Sequence, residues 1–168
     1  MQYSQVDVCY IKQKNLRQRG RMAMKLPLFI YGTLRHAAVR DAVFERQTAL
    51  DDFVFQPAYL PCHAVYHVDG TAYPMIIAEQ ETAAIGLCWH GLTDDDLAVL
   101  DRFEGENYQR VPIDIVLSEI NQRVRAEIYQ PRTRLKQGKI WDFDEWSKTG
   151  LDRFLTHDFN LAGVRAPA

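Results

Sequence analysis

The sequence predicts an α+β fold, a small curved sheet or barrel with helices outside, on three observations. Five to seven strand-like runs and two or three helical ones follow each other in mixed order, which suits α+β rather than regular strand–helix alternation. The dipeptide Asp69-Gly70 between two strand-like runs is a hairpin signal, so neighbouring strands pair antiparallel. At 168 residues and 47% hydrophobic, one domain can bury a core without disulfides or a metal.

Each element has its own local reason. Leu28-Phe29-Ile30-Tyr31 is a short apolar run halted by Gly32, a buried strand entering a loop. Residues 37–44 suit a short helix with Val39, Ala42 and Val43 on one side. Residues 58–68 and 72–78 read as strands joined at Asp69-Gly70, and residues 85–90 as a further apolar strand. The best-specified helix covers 92–105. Thr93 caps it, Asp96 completes a capping box, and Leu92 can staple to Leu97. Leu97, Leu100 and Phe103 then form the buried stripe, and Gly105 supplies the stop. Strands follow at 111–117 and 124–129. In the second, Val124, Ala126 and Ile128 alternate with Arg125 and Glu127, so one face is wet. Residues 142–159 read as helical, opened by a second capping box of Asp142 and Glu145 and broken or kinked at Gly150. Phe143, Trp146, Leu151, Phe154 and Leu155 are available to pack.

Composition narrows the function classes. A net charge of -2 gives no whole-protein bias toward nucleic acid or an anionic membrane. Cys9, Cys62 and Cys88 make an odd count with no CxxC pair, which fits a reducing cytoplasm rather than a disulfide framework. No apolar run approaches a membrane span. Residues 1–25 carry six basic side chains against one acid, Asp7, and crowd the place of a signal peptide's apolar stretch. They read as a basic, solvated or weakly ordered extension ahead of the domain at 26–168. A nucleic-acid arm, or a start at Met22 or Met24, is the alternative.

Several familiar constellations are absent: GxSxG, GxxxxGK[ST], HExxH and GxGxxG. His63 and His67, with Cys62 adjacent, can share a strand face, but a metal site needs three or four converging ligands, so strand packing is the plainer reading. Trp89 and His90 read as strand residues in the same way. Two segments stand out. Phe29 to Arg35 is a strand ending in Gly32-Thr33, whose successive backbone N–H groups can cradle a carboxylate or phosphate. Leu100 to Arg110 places Glu104 at a helix C-terminus, where the backbone dipole disfavours an ionised carboxylate; enclosure by Phe103 and nearby aromatics would push the same way. A raised pKa suits a general acid/base. The competing reading leaves Glu104 solvated, or paired with Arg102 or Arg110.

Tyr31-Gly32-Thr33-Leu34-Arg35, followed by Leu100-Asp101-x-Phe103-Glu104-Gly105-x-x-Tyr108-x-Arg110, resembles the paired signature of the γ-glutamylcyclotransferase-like family. Tyr73-Pro74-Met75-Ile76 is similar to the family's Tyr-Pro strand. Gly86 begins a strand like the one leading to the family's glutamate helix, and 126–129 is similar to the strand carrying a late aromatic. Residues 141–146 resemble the extension of the avirulence-induced-gene-like branch, which includes γ-glutamylamine cyclotransferases.

The resemblance implies a small closed or nearly closed β-barrel of antiparallel or mixed strands with flanking helices, whose cavity joins the Tyr31–Leu34 loop to Glu104. It implies an acyltransferase or amidine-lyase type enzyme using neither metal nor cofactor. The backbone of Gly32, Thr33 and Leu34 would hold the α-carboxylate of a γ-glutamyl group. Glu104 would move the proton from the attacking α-amine to the departing amine, giving 5-oxoproline. Tyr31, Tyr73, Tyr108 and Tyr129 would line the pocket or donate hydrogen bonds, with packing as the alternative. Arg35 and Arg110 would contact substrate or pair with Glu106 or Asp101. The expected partner is a small γ-glutamyl substrate, without nucleic acid or membrane, and the expected state is a monomer or weak homodimer. The alternatives are a barrel that binds a small carboxylate or a protein without turnover, and a related acyl transferase or hydrolase.

Overall fold

The computed structural model describes residues 25–45 and 53–160. The readings on residues 1–24, including Cys9, Met22 and Met24, lie outside the described residues. Strand β1 (Leu28–Ile30) is apolar and wholly buried because it has a neighbour on each side. It runs antiparallel to β3 (Pro74–His90), with Phe29 opposite Cys88, and parallel to β5 (Gln122–Pro131), with Phe29 opposite Ile128. Strand β5 pairs along its length with β4 (Tyr108–Leu117), and β2 (Val54–Val68) pairs with β3. The ring closes where β2 meets β4 at Ala58–Leu117 and Tyr59–Val116, aided by the Ser118 N–H donating to Pro57 O at 2.9 Å. The result is a mixed sheet that nearly closes on itself, as expected, with helices outside.

Several strand boundaries differ from expectation: β2 begins at Val54 and not 58, and β4 at Tyr108 and not 111. Residues 74–90 form one strand, so 85–90 is its second half and not a separate element. The interruption is a bulge: between the pairs Pro61–Ala83 and His63–Ala78, Cys62 alone faces residues 79–82. Cys62 and Glu81 both take the left-handed conformation there (φ 57° and 63°), which bends the hairpin without ending it. The Asp69-Gly70 turn is also longer than the signal suggests, since β3 begins only at Pro74. Strand β6 (Gln137–Ile140) has no apolar alternation and pairs with β2 only at Tyr66–Ile140 and Val68–Gln137, so sequence pattern does not announce it.

Helix α1 (Ala37–Phe44) covers the expected residues. Helix α2 (Asp94–Glu104) carries the full capping box: the Asp96 N–H donates to Thr93 Oγ1 at 3.1 Å and the Thr93 N–H to Asp96 Oδ2 at 2.8 Å. Three acids in the first turn add to the favourable dipole interaction. Thr93→Ala is expected to cost about 1 kcal/mol, read from the shift of a urea denaturation midpoint. The stripe Leu97, Leu100 and Phe103 is buried.

The C-terminal region breaks at Gly150 into α3 (Phe143–Thr149) and the short α4 (Leu151–Arg153), followed by a wide turn over Phe154–Asp158. Gly150 is needed because a Cβ there would collide with the indole of Trp146. Phe103 of α2 packs edge-on against Phe154 and tilted against Phe159, at ring separations of 6.5 and 5.7 Å. The tail thus braces the end of α2 that bears Glu104. Among the described residues, no helix is long and apolar enough to cross a membrane.

Candidate active site

Strand β1 delivers Tyr31 and then the loop Gly32-Thr33-Leu34 into a cavity. Tyr73 and Pro74 open β3 on another wall, Phe103 and Glu104 end α2, and Tyr108 and Tyr129 come from β4 and β5. Residues some seventy positions apart in the chain therefore share one space.

Gly32 has φ -111°, which any residue adopts, so its backbone conformation does not call for glycine. Space does: a Cβ would sit 2.6 Å from Pro74 Cγ. Thr33 and Leu34 are buried and begin a single 3-10 turn, so their N–H groups have no partner within it. The turn is closed by the Arg35 N–H donating to Gly32 O and the His36 N–H to Thr33 O, both at 3.0 Å.

Glu104 lines the cavity and is half-buried as a whole residue, while its carboxyl group lies deep in the protein. Burial, with repulsion from Asp101 second, pushes its pKa up to about 8. The direction agrees with the sequence expectation, while the repulsion from Asp101 does not follow from helix position alone. Neither Arg102 nor Arg110 pairs with it. Arg110 instead forks onto Asp101, with Nε and Nη2 donating at 2.9 and 3.1 Å, and bonds Glu127 through Nη1.

Tyr31, Tyr108 and Tyr129 use their phenolic protons to brace the walls. Tyr31 donates to Tyr129 O and Tyr108 to Pro74 O, each at 3.0 Å, and Tyr129 donates to Asp101 Oδ1 at 2.6 Å. Burial raises the pKa of all three, and the charge of Glu104 adds to it. Burial also lifts Tyr73, to about 12, with Asp158 contributing. All four are therefore neutral donors at physiological pH.

Asp101 links the cavity to the surface. Burial favours its neutral form, but bonds from Arg110 and Tyr129, with the guanidinium charge, outweigh this and hold it below the ordinary carboxylate range. It therefore stays ionised and repels a charge on Glu104. Asp101→Asn, which keeps the shape, is expected to move the Glu104 titration to lower pH, followed through the carboxyl carbon's chemical shift. An unmoved titration would mean burial alone sets it.

Other expected residues fall outside the cavity. The Arg35 guanidinium lies 4.0 Å over the Phe143 ring, and desolvation lowers its pKa against the pull of Asp144 and Asp142. Glu106 is exposed and does not meet Arg35 or Arg110. His63 Nδ1 contacts Pro61 O at 2.8 Å, whereas the His67 ring stacks on Trp141 at 4.6 Å, so the two do not converge. Trp89 is wholly buried between Phe53 and Phe55, and His90 Nε2 contacts Cys88 Sγ at 3.3 Å. Among the described residues, no cluster of three or more His, Cys, Asp or Glu could hold a metal ion.

Two supports escape the sequence reading. Both backbone groups of Ala72, beside Tyr73, are bonded to the C-terminal region: Trp146 Nε1 donates to its carbonyl at 2.8 Å, and its N–H donates to Asp158 Oδ2 at 2.6 Å. Arg40 donates through Nη1 to Leu34 O and Arg35 O, each at 2.8 Å. The one local signal for Arg40 is a charge adjoining the Val39 and Val43 stripe of α1.

Comparison with known proteins gives a consistent picture. Curated relatives in Arabidopsis thaliana include Protein AIG2 B, 28% identical over 130 residues (76% of this chain and 74% of that protein). Protein AIG2 C is 29% identical over 134 residues, covering 76% of each. A solution structure of an Arabidopsis thaliana protein superposes with a TM-score of 0.60 at 23% identity, over 82% of this chain and 90% of that one. A structure of a gamma-glutamyl cyclotransferase superposes with a TM-score of 0.53 at 14% identity, over 67% and 69%. Both structural likenesses are of fold. The family described as gamma-glutamyl cyclotransferase, AIG2-like, matches residues 28–148, which include both signature segments and the walls of the cavity, and the chain belongs to that family.

Proposed function

We propose that this protein cyclises a γ-glutamyl amine or peptide to 5-oxoproline, releasing a free amine, with Glu104 as general acid/base. The observation that carries the reading is Glu104 in a cavity shared with Gly32, Thr33 and Leu34, its pKa raised to about 8. The Thr33 and Leu34 N–H groups, which have no partner within their own turn, suit the substrate's α-carboxylate. Its α-amine, delivered beside Glu104, loses a proton to the carboxylate and attacks the γ-carbonyl carbon. The new C–N bond closes a five-membered ring, and the bond to the departing nitrogen breaks as Glu104 returns the proton. No water enters the products.

The nucleophile belongs to the substrate, so no Ser–His or Cys–His pair is needed; positioning and proton transfer are the protein's task. Tyr31, Tyr108 and Tyr129 shape the wall. Their protons are engaged, so a developing oxyanion would draw on backbone N–H groups.

The test is 5-oxoproline release from γ-glutamyl dipeptides, γ-glutamyl-ε-lysine and glutathione, with Glu104→Gln in parallel. Release lost in a folded variant supports the reading and names the leaving group. Glutamate in place of 5-oxoproline would mean hydrolysis. Neither product from any member of the panel would favour a binding role.

A further inference from the structure

Arg40 is only 7% exposed, and among the described residues its guanidinium has no ion pair. It lies 4.7 Å over the Phe55 ring, and its Nε is buried without a partner. Desolvation lowers its pKa, with Asp41 opposing. A buried cation is costly to desolvate, so where its bonds lead is informative.

They lead to the cavity. One Nη1 bond goes to the carbonyl of Leu34, whose peptide unit carries the Arg35 N–H; that N–H donates to Gly32 O, whose peptide unit carries the Thr33 N–H. The other goes to the carbonyl of Arg35, whose unit carries the His36 N–H; that N–H donates to Thr33 O, whose unit carries the Leu34 N–H. Two parallel chains of hydrogen bonds thus start at one guanidinium nitrogen and end on the N–H groups of Thr33 and Leu34, two of the cavity's lining residues. Hydrogen bonds in series polarise one another, so a cation at one end makes the terminal N–H a stronger donor.

We propose that Arg40 is a positioning residue for substrate. Through these two relays it sharpens the Thr33 and Leu34 N–H groups toward a carboxylate. This rests on the cavity reading above, in which that carboxylate belongs to a γ-glutamyl group.

The probe is L-5-oxoproline, which bears the carboxylate, titrated into full-length isotope-labelled protein. In the wild type, the Thr33 and Leu34 amides and the Arg40 guanidinium are expected to shift with a single Kd. Arg40→Met should weaken binding roughly tenfold or more and move both amide protons upfield in the ligand-free protein, whereas Arg40→Lys should recover most of the affinity. In turnover, Arg40→Met should raise KM with kcat little changed, because the carboxylate is held equally in ground and transition states.

Shifts at Thr33 and Leu34 with a silent Arg40, and wild-type affinity in Arg40→Met, would overturn the relay and leave the cavity reading standing. Silence at Thr33 and Leu34 in saturated wild-type protein would overturn both. The wild-type titration decides even if Arg40→Met does not fold.

Discussion

Glu104→Gln is expected to lower the rate of 5-oxoproline release by about 10²–10⁴-fold, because the amide has the carboxyl's shape but cannot carry a proton between two nitrogens. The same change should alter stability in a pH-dependent way. The Glu104 pKa is about 8 in the folded chain against an ordinary 4.5. The folded state therefore binds a proton that the unfolded state has lost between those values, and the wild type loses stability as pH rises through that window. Glutamine has nothing to titrate. The two proteins should melt alike near pH 4 and diverge by pH 9 in favour of the variant, by an amount on the order of 3–5 kcal/mol at most. Denaturation of both across pH 4–9 measures it. Parallel curves would mean the carboxyl is not held in its neutral form. In the wild type, kcat/KM should climb with pH toward a midpoint near 8, since only the ionised carboxyl accepts the amine proton.

Gly86→Ala is expected to be the most damaging single-carbon change in the barrel. A Cβ at Gly86 would collide with the carbonyl oxygen of Ile30 and lie 2.7 Å from two ring atoms of Phe29. The oxygen belongs to the β1–β3 ladder and cannot move without shifting Tyr31 and Gly32, which line the cavity. A cost of roughly 2–4 kcal/mol is expected, lowering Tm by about 5–12 °C, with activity falling below the folding transition as well. Gly70→Ala is the control. Nothing lies within 4 Å of its added carbon, so only its φ of 79° opposes the change, at about 1 kcal/mol. Equal losses in the two variants would show that strand contact is not the limiting factor.

Legibility in the sequence followed the range of the interaction. Helix α2 was readable because Thr93, Asp96 and the Leu97–Leu100–Phe103 stripe all act within a few residues. The break at Gly150 was readable for the same reason, although its cause, the Trp146 indole, is visible only in three dimensions. The two halves of β3 look separate in sequence because the polar run at 79–82 resembles a loop, and only pairing with β2 makes it a bulge. Strand β6 has no apolar signature, since it is a polar edge held by two pairings.

The candidate site divides along the same line. The sequence by itself determined the loop after β1, the helix that ends at Glu104 and the residue types available for proton transfer, because caps, glycine stops and apolar periodicity are local properties. Only the tertiary structure decided that the ring closes, that Gly32 must clear Pro74, that Asp101 repels Glu104 while Arg110 holds it ionised, and that Arg40 stands behind the loop. Those depend on which distant groups share a low-dielectric space, and burial and electrostatics act through that space rather than along the chain.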